Sequence, residues 1–272
     1  MMFGERPQEL KGVSLPVRVR GMAERFMARS IRSKTLAVRA TPPIVTFTFD
    51  DVPVSACEIG ANVLANHDVR GTFYVAGGGC GAVSPVGRLA SIEHIRVVAA
   101  RGHEIGCHTY SHPEVSRIGI AALDDEINRN RLFMLTIDSA IALRNFAYPY
   151  GEMSVRAKRY LEAHFDSCRS VHPGINSGSV DLGSLKACRL EGTATDHAGI
   201  GTLVAETVRT NGWLILYSHD VTEKPSKFGV TPKLLERAVT AAKMAGCTVA
   251  TIADALELIR ATADRRLPAT QS

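Results

Sequence analysis

The sequence predicts an α/β fold whose parallel sheet is wound into a barrel, and three observations carry that expectation. From Ile44 onward, short apolar runs rich in β-branched and aromatic residues alternate with longer segments of helical periodicity, in seven or eight units. Units of this kind pair their strands in parallel through right-handed crossovers, and their number favours a barrel over an open doubly wound sheet. Trp213 to Ser218 is almost wholly apolar, as a strand covered on both faces must be. The cleanest local signal is the unit starting at Thr231. Thr231 is an N-cap, Pro232 takes the first helical position, apolar residues follow at Leu235, Ala238, Val239 and Ala242, and Gly246 ends the helix.

Taken in order, Ile44 to Phe49 reads as the first strand because its apolar and β-branched residues run up to Asp50. Val54 to Asn66 follows as a helix, Thr72 to Val75 as a strand, Ile92 to Ala100 as a helix and Glu104 to Cys107 as a strand. Leu123, Ile127, Met134, Ile137 and Ile141 recur at spacings of three, four or seven, which predicts one long helix from about Ile120 to Leu143. Phe146 to Tyr148 is a short strand, Ser154 to Ala163 a helix, Ser167 to Val171 and Leu185 to Leu190 strands, and Leu203 to Thr210 a helix. Beyond Gly246 come a strand at Cys247 to Ile252 and a last helix at Ala253 to Ala261. Gly77-Gly78-Gly79 and Pro173 to Gly183 read as flexible loops. The glycine triplet lacks both a phosphate-binding lysine and a full dinucleotide fingerprint, so it is not read as a nucleotide cradle.

Composition narrows the function classes. With 45% apolar and 22% charged residues over 272 positions, the chain has the material for a sizeable core and none of the signatures of disorder. The formal charge of +5 suggests an anionic partner until it is located. Residues 1–40 carry nine bases and three acids, leaving 23 bases and 24 acids for residues 41–272, a net −1. The division is therefore a basic extension over 1–40 and one domain over 41–272. A near-neutral body argues against nucleic-acid binding. The extension reads as a solvated cap on the body, with contact to a membrane surface as the lesser reading. Neither a spanning run of apolar residues nor the apolar centre of a secretory signal is visible, which makes the expected location cytoplasmic. The six cysteines are widely spaced, without a Cys-x-x-Cys pair, and read as small buried hydrophobes in a reducing compartment.

In a parallel α/β layout, chemistry sits at the carboxyl ends of the strands. The first strand runs into Asp50-Asp51, adjacent carboxylates whose repulsion a cation would relieve; alone, the pair also suits a helix cap or a turn. His108 and His112 follow the strand Glu104 to Cys107 at a spacing that lets two imidazoles converge on a borderline divalent metal such as zinc. His219 follows the apolar strand Trp213 to Ser218, where an imidazole is placed for acid–base work or for a structural hydrogen bond. Together these groups are the parts of a metal-assisted hydrolase.

These residues resemble those of the polysaccharide deacetylases, the NodB-homology carbohydrate esterases. The resemblance rests on Thr48-Phe49-Asp50-Asp51, His108-Thr109-Tyr110-Ser111-His112, Phe146-Ala147-Tyr148-Pro149-Tyr150-Gly151 and Leu214-Ile215-Leu216-Tyr217-Ser218-His219-Asp220, in the family's order, and it covers about Pro43 to Leu258. It implies a distorted (β/α)7-type barrel and removal of the N-acetyl group from an N-acetylhexosamine in an oligo- or polysaccharide. It implies that Asp51, His108 and His112 hold one divalent metal, zinc or else cobalt, nickel or manganese. It further implies Asp50 as catalytic base, His219 as general acid, and the backbone N–H of Tyr150 as a donor to the oxyanion. Many relatives carry Arg where this chain has Ala147, an Arg that orients the base; Arg169, at the end of a predicted strand, and Arg144 are the candidates to replace it. With one Trp and 6% aromatic residues there is little material for a long stacking platform. A lipid-linked or nucleotide-linked amino sugar therefore stands beside polymer as a substrate. A catalytically silent glycan-binding protein is the alternative from another class.

Overall fold

The computed structural model describes Phe3, Met27, Ala28, residues 30–193 and residues 198–264. Ten strands are used below: β1 (Thr35–Val38), β2 (Ile44–Asp50), β3 (Thr72–Val75), β4 (Glu104–Cys107), β5 (Asn145–Ala147), β6 (Ser167–Arg169), β7 (Gly178–Asp181), β8 (Cys188–Arg189), β9 (Trp213–Ser218) and β10 (Thr248–Val249). The main sheet is wholly parallel in the order β8-β9-β2-β3-β4-β5-β6, with β10 beside the start of β2. It curls on itself, and one stretch spans the gap between its edges. Leu185 bridges Arg169 of β6, and three residues later Cys188 enters β8 beside β9.

Among the described residues, seven helices that pack outside are used below: α1 (Ala61–Ala65), α2 (Ile92–Ala100), α3 (Ile120–Ile137), α4 (Val155–His164), α5 (Ala198–Arg209), α6 (Pro232–Met244) and α7 (Ile252–Asp264). Their starts are encoded locally. Ser91 and His94 form a reciprocal capping box, and the hydroxyls of Ser154 and Thr231 accept from the N–H of Ala157 and Leu234. The helix predicted at Val54 begins with a π-helical turn, Ala56–Gly60, which runs directly into α1.

The period of two along each strand sorts the side chains into two environments. Val45, Phe47 and Phe49 of β2, Phe73 and Val75 of β3, Ile105 and Cys107 of β4, Phe146, Cys168, Leu214 and Leu216 join the large apolar cluster that includes the helices. The intervening residues share the opposite face of the sheet, and many are polar. Thr72 and Asn145 donate to the Glu104 carboxylate at 2.9 and 2.6 Å, Ser167 donates to Asn145 Oδ1 at 2.8 Å, and Trp213 Nε1 donates to Thr46 Oγ1 at 2.9 Å. Burial pushes the Glu104 carboxyl up, against those hydrogen bonds and one from the Ala253 N–H. Trp213, Ile215 and Tyr217 supply a second apolar cluster with Tyr74 and Ala147. Gly106 is required on that face, because a Cβ there would lie 2.4 Å from the ring of Tyr74.

Three local expectations change. The long helix stops at Ile137 and does not reach Leu143: Asp138 is extended, and its carboxylate accepts the Ala140 N–H in a turn that competes with further helix. The segment Pro173 to Gly183 is not simply a loop, since it contains β7, which pairs antiparallel with β1 from Thr35↔Asp181 to Val38↔Gly178. The strands expected at Ser167 to Val171, Leu185 to Leu190 and Cys247 to Ile252 are two or three residues long.

β1 belongs to the segment read as a basic extension, most of which lies outside the described residues. Its end is joined to the body at several points. Lys158, fully buried on α4, donates to the carbonyls of Ala28 and Ile31 and to Asp181 Oδ2. Lys34 Nζ donates to the Glu162 and Phe165 carbonyls at 3.1 and 2.6 Å, and Ser33 donates to Glu162. Among the described residues, no helix is long and apolar enough to cross a membrane.

Two expectations about stability follow from these contacts. Deleting residues 1–40 removes two carbonyl partners of the buried Lys158, the Ser33 partner of Glu162 and the burial of Val38, so the urea-unfolding free energy should fall by about 3 kcal/mol or more. A wild-type midpoint for the truncated chain would mean that the segment is only an attachment. His103 accepts the Gly71 N–H at Nδ1 and meets the Phe73 ring edge-on, and burial, with Arg101 and Arg70 nearby, lowers its pKa from 6.5 to about 4. The unfolded chain therefore binds that proton at higher pH than the folded one. The contribution of His103 is complete above pH 6.5 and is lost as the pH falls toward 4. His103→Asn, which keeps an acceptor for Gly71, should remove about 2–3 kcal/mol of the acid-dependent loss measured by urea unfolding between those limits.

Candidate metal centre and active site

The residues singled out in the sequence converge at the carboxyl ends of the parallel strands. Asp50 ends β2 and Asp51 follows it; His108 follows β4 and His112 lies four residues further on in the loop; Tyr150 follows β5; His219 follows β9. The chain bends sharply as it leaves the strands. Asp51, Val52, Thr109, His112 and Tyr150 have φ between 51° and 62°, the left-handed region that non-glycine residues seldom occupy. For the β-branched Val52 and Thr109 this conformation is a pronounced strain, of a kind that gathers at functional sites.

Asp51, His108 and His112 form a compact donor set. His108 Nε2 and His112 Nε2 are 3.2 Å apart, and Asp51 Oδ1 lies 3.2 Å from the second and 3.7 Å from the first. His108 Nδ1 is 2.8 Å from the Ala147 carbonyl, which can only accept, so the proton sits on Nδ1 and the Nε2 lone pair faces the other two groups. Burial, then His112, lowers the His108 pKa from 6.5 to about 4, which favours the neutral ring that a metal requires. Burial alone would raise the Asp51 carboxyl, but the imidazoles of His112, His108 and His219 outweigh it and hold the group below the usual carboxylate range. Asp51 Oδ1 and His112 Nδ1 are buried without a hydrogen-bond partner. Tetrahedral bonds of about 2.0–2.1 Å would set three ligand atoms about 3.3 Å apart, so the triangle fits a divalent cation.

Asp50 is 4% exposed and belongs to the polar face of the sheet rather than to this triangle. Arg169 Nη2 lies 2.6 Å from each Asp50 oxygen, and Nη1 donates to the Ser170 carbonyl. The rings of Tyr74 and Tyr217 are each 5.1 Å from the guanidinium. Of the two candidate cations, then, Arg169 reaches Asp50. Arg144 does not: it is a partly exposed residue paired with Asp166 and Glu257 at 2.8 Å. Arg169 is the direct register partner of Ala147, so this cation stands one strand over from Ala147.

His219 Nδ1 is 3.3 Å from the Phe228 carbonyl, which orients the ring and leaves Nε2 for other partners. The Tyr150 ring meets His112 edge-on at 4.6 Å, in the turn Pro149–Gly151. Phe3, which the sequence reading passed over, lies 6.2 Å from His112 and rests on Gly79, where a Cβ would come within 2.4 Å of its ring. The glycine triplet is therefore a packing surface beside the site. No local pattern could have paired Phe3 with it.

The chain matches the family described as polysaccharide deacetylase over residues 37–164. It is 25% identical to the chitin deacetylase of Colletotrichum lindemuthianum over 220 residues, 75% of this chain and 80% of that one. Its match to a chitooligosaccharide deacetylase of Sinorhizobium fredii (strain NBRC 101917 / NGR234), at 33% identity, spans 40% of this chain and about half, 47%, of the relative. In three dimensions it is similar to the Colletotrichum enzyme, with a TM-score of 0.55 at 20% identity over 80% of this chain and 89% of that one. It is similar to the same degree, with a TM-score of 0.55, to Bacillus subtilis PdaA, a family 4 carbohydrate esterase, at 15% identity over 82% and 84% of the two chains. Strand order, the four motifs at the strand ends and these likenesses agree in one direction: the chain is similar to the polysaccharide deacetylases, the NodB-homology carbohydrate esterases, and shares their fold.

Proposed function

We propose that the protein is a metal-dependent hydrolase that removes N-acetyl groups from N-acetylhexosamine-containing oligo- or polysaccharide. The observation that supports this reading is the convergence of an Asp–His–His triangle, a separate carboxylate and a separate imidazole at one end of one barrel. Asp51, His108 and His112 would hold the ion, zinc by the borderline character of two nitrogens and one oxygen. When bound, such an ion supplies Lewis-acid polarisation of the amide and acidifies water. Asp50, restrained at both oxygens by Arg169, accepts the proton of the attacking water. His219, oriented through Nδ1 by the Phe228 carbonyl, delivers a proton to the departing amine. The N–H of Tyr150, in its left-handed turn, donates to the oxygen on which negative charge develops.

Trp213 is fully buried and takes no part in a stacking platform, which favours short glycans or a linked amino sugar over long polymer. The cytoplasm is the proposed location, because all six cysteines are free thiols and five of them are buried.

The direct test is release of acetate and of new primary amine from N-acetylated oligosaccharides and from lipid-linked and nucleotide-linked amino sugars. Chelator-treated protein should be inactive and zinc should restore it; metal uptake with no release from any substrate would favour a silent glycan-binding protein. Asp50→Asn should lower kcat by at least about 10²-fold while zinc still binds. The Asp50–Arg169 pair has its own prediction. Arg169→Met leaves a buried carboxylate unpaired and should cost about 3–5 kcal/mol in urea unfolding, whereas Asp50→Asn with Arg169→Met should cost clearly less than the two single changes added together.

A further inference from the structure

The two candidate histidine ligands sit at the ends of a five-residue loop with two strained residues. Thr109 and His112 both take left-handed backbone conformations, at φ 62° and 59°. Each costs on the order of 1–3 kcal/mol in a non-glycine residue and persists only where the surroundings over-determine it. Within the loop, the Thr109 hydroxyl accepts the His112 N–H at 3.1 Å. From outside, the Gly78 N–H donates to the Tyr110 carbonyl at 2.8 Å and the His108 N–H to the Val75 carbonyl at 3.1 Å, and side chains from one face of α3 supply further restraint.

Glu126 Oε2 accepts the N–H groups of Tyr110 and Ser111 at 3.0 and 2.7 Å, and its Oε1 accepts the Ser111 hydroxyl at 2.7 Å. Three donors on one buried carboxylate grip the residues that separate His108 from His112. Arg129, one turn along, places its guanidinium 4.2 Å over the Tyr110 ring. Asn130, four residues beyond Glu126 on the same helix face, accepts the Gly77 N–H and donates to the Val75 carbonyl, each at 2.9 Å, fixing the neighbouring loop in the same manner. Glu126 and Asn130 lie among the buried positions Leu123, Ile127, Met134 and Ile137, where an apolar side chain would serve packing better. Polar groups at such positions need a use for their hydrogen bonds, and here that use is the loop.

We propose that Glu126 is a positioning residue for the metal centre: by clamping Tyr110 and Ser111 it holds the imidazoles of His108 and His112 at the separation a divalent ion requires. The proposal rests on the reading of Asp51, His108 and His112 as metal ligands. Its measure is zinc affinity rather than turnover, since groups behind a ligand typically alter affinity by about 10–100-fold.

The experiment is a competition titration of the metal-free full-length protein with zinc against a chromophoric chelator, together with the absorption spectrum of the cobalt-loaded form and the thermal midpoint of the metal-free form. Glu126→Ala should weaken zinc binding by about 10–100-fold and alter the cobalt spectrum. Glu126→Gln, which keeps one accepting oxygen, should recover part of the loss, and Ser111→Ala, which removes a single hydrogen bond, should show a smaller effect. These two variants also carry the test if Glu126→Ala does not fold. Wild-type zinc affinity in a folded Glu126→Ala, or a fall in the metal-free midpoint with affinity unchanged in all three variants, overturns the proposal alone. A wild-type chain that takes up no zinc overturns the metal reading and the proposal with it.

Discussion

The buried pair of Asp50 and Arg169 is the interaction on which the arrangement of the barrel mouth depends. It joins the end of β2 to the end of β6, strands separated by three others in the sheet and by 119 residues in the chain. Two opposite charges so far from solvent hold together only with good geometry and further hydrogen bonds, and both are present. The carboxylate is thereby kept apart from Asp51. One strand end thus presents two chemically identical groups in different roles, one tied to a guanidinium and the other facing two imidazoles.

Much of this was legible in the sequence because strand cores and strand ends are local features. Apolar alternation located β2, β3, β4 and β9 to within a residue or two, and placing the chemistry at strand ends brought out Asp50, Asp51, His108, His112 and His219. Pairings at long range were not legible. β1 and β7 are four-residue strands, one in a basic segment and one in a glycine-containing loop, and each is a strand only because the other is beside it. The choice between Arg169 and Arg144 was of the same kind. Both lie near strand boundaries, and only the curl of the sheet brings one to Asp50 and leaves the other at the surface.

Glu126 did carry a readable sign. A carboxylate and an amide interrupt the apolar stripe of α3 at positions that helical periodicity assigns to the core. Such an interruption marks a helix that holds something besides apolar side chains, although it cannot say what. The Lys158 contacts have a similar origin: a buried ammonium on α4 exists to meet carbonyls supplied from outside the barrel.

The left-handed residues around the site bear on how this protein can change. Glycine at position 52 or 109 would relieve a backbone that Val and Thr adopt at a cost, so a selection for thermal tolerance alone would be drawn to the loops that present the candidate ligands. The relief would come with looser loops at the candidate site. Robustness and chemistry therefore compete at the same few peptide units, and improvement of the scaffold has to be sought in the helices and the far end of the barrel.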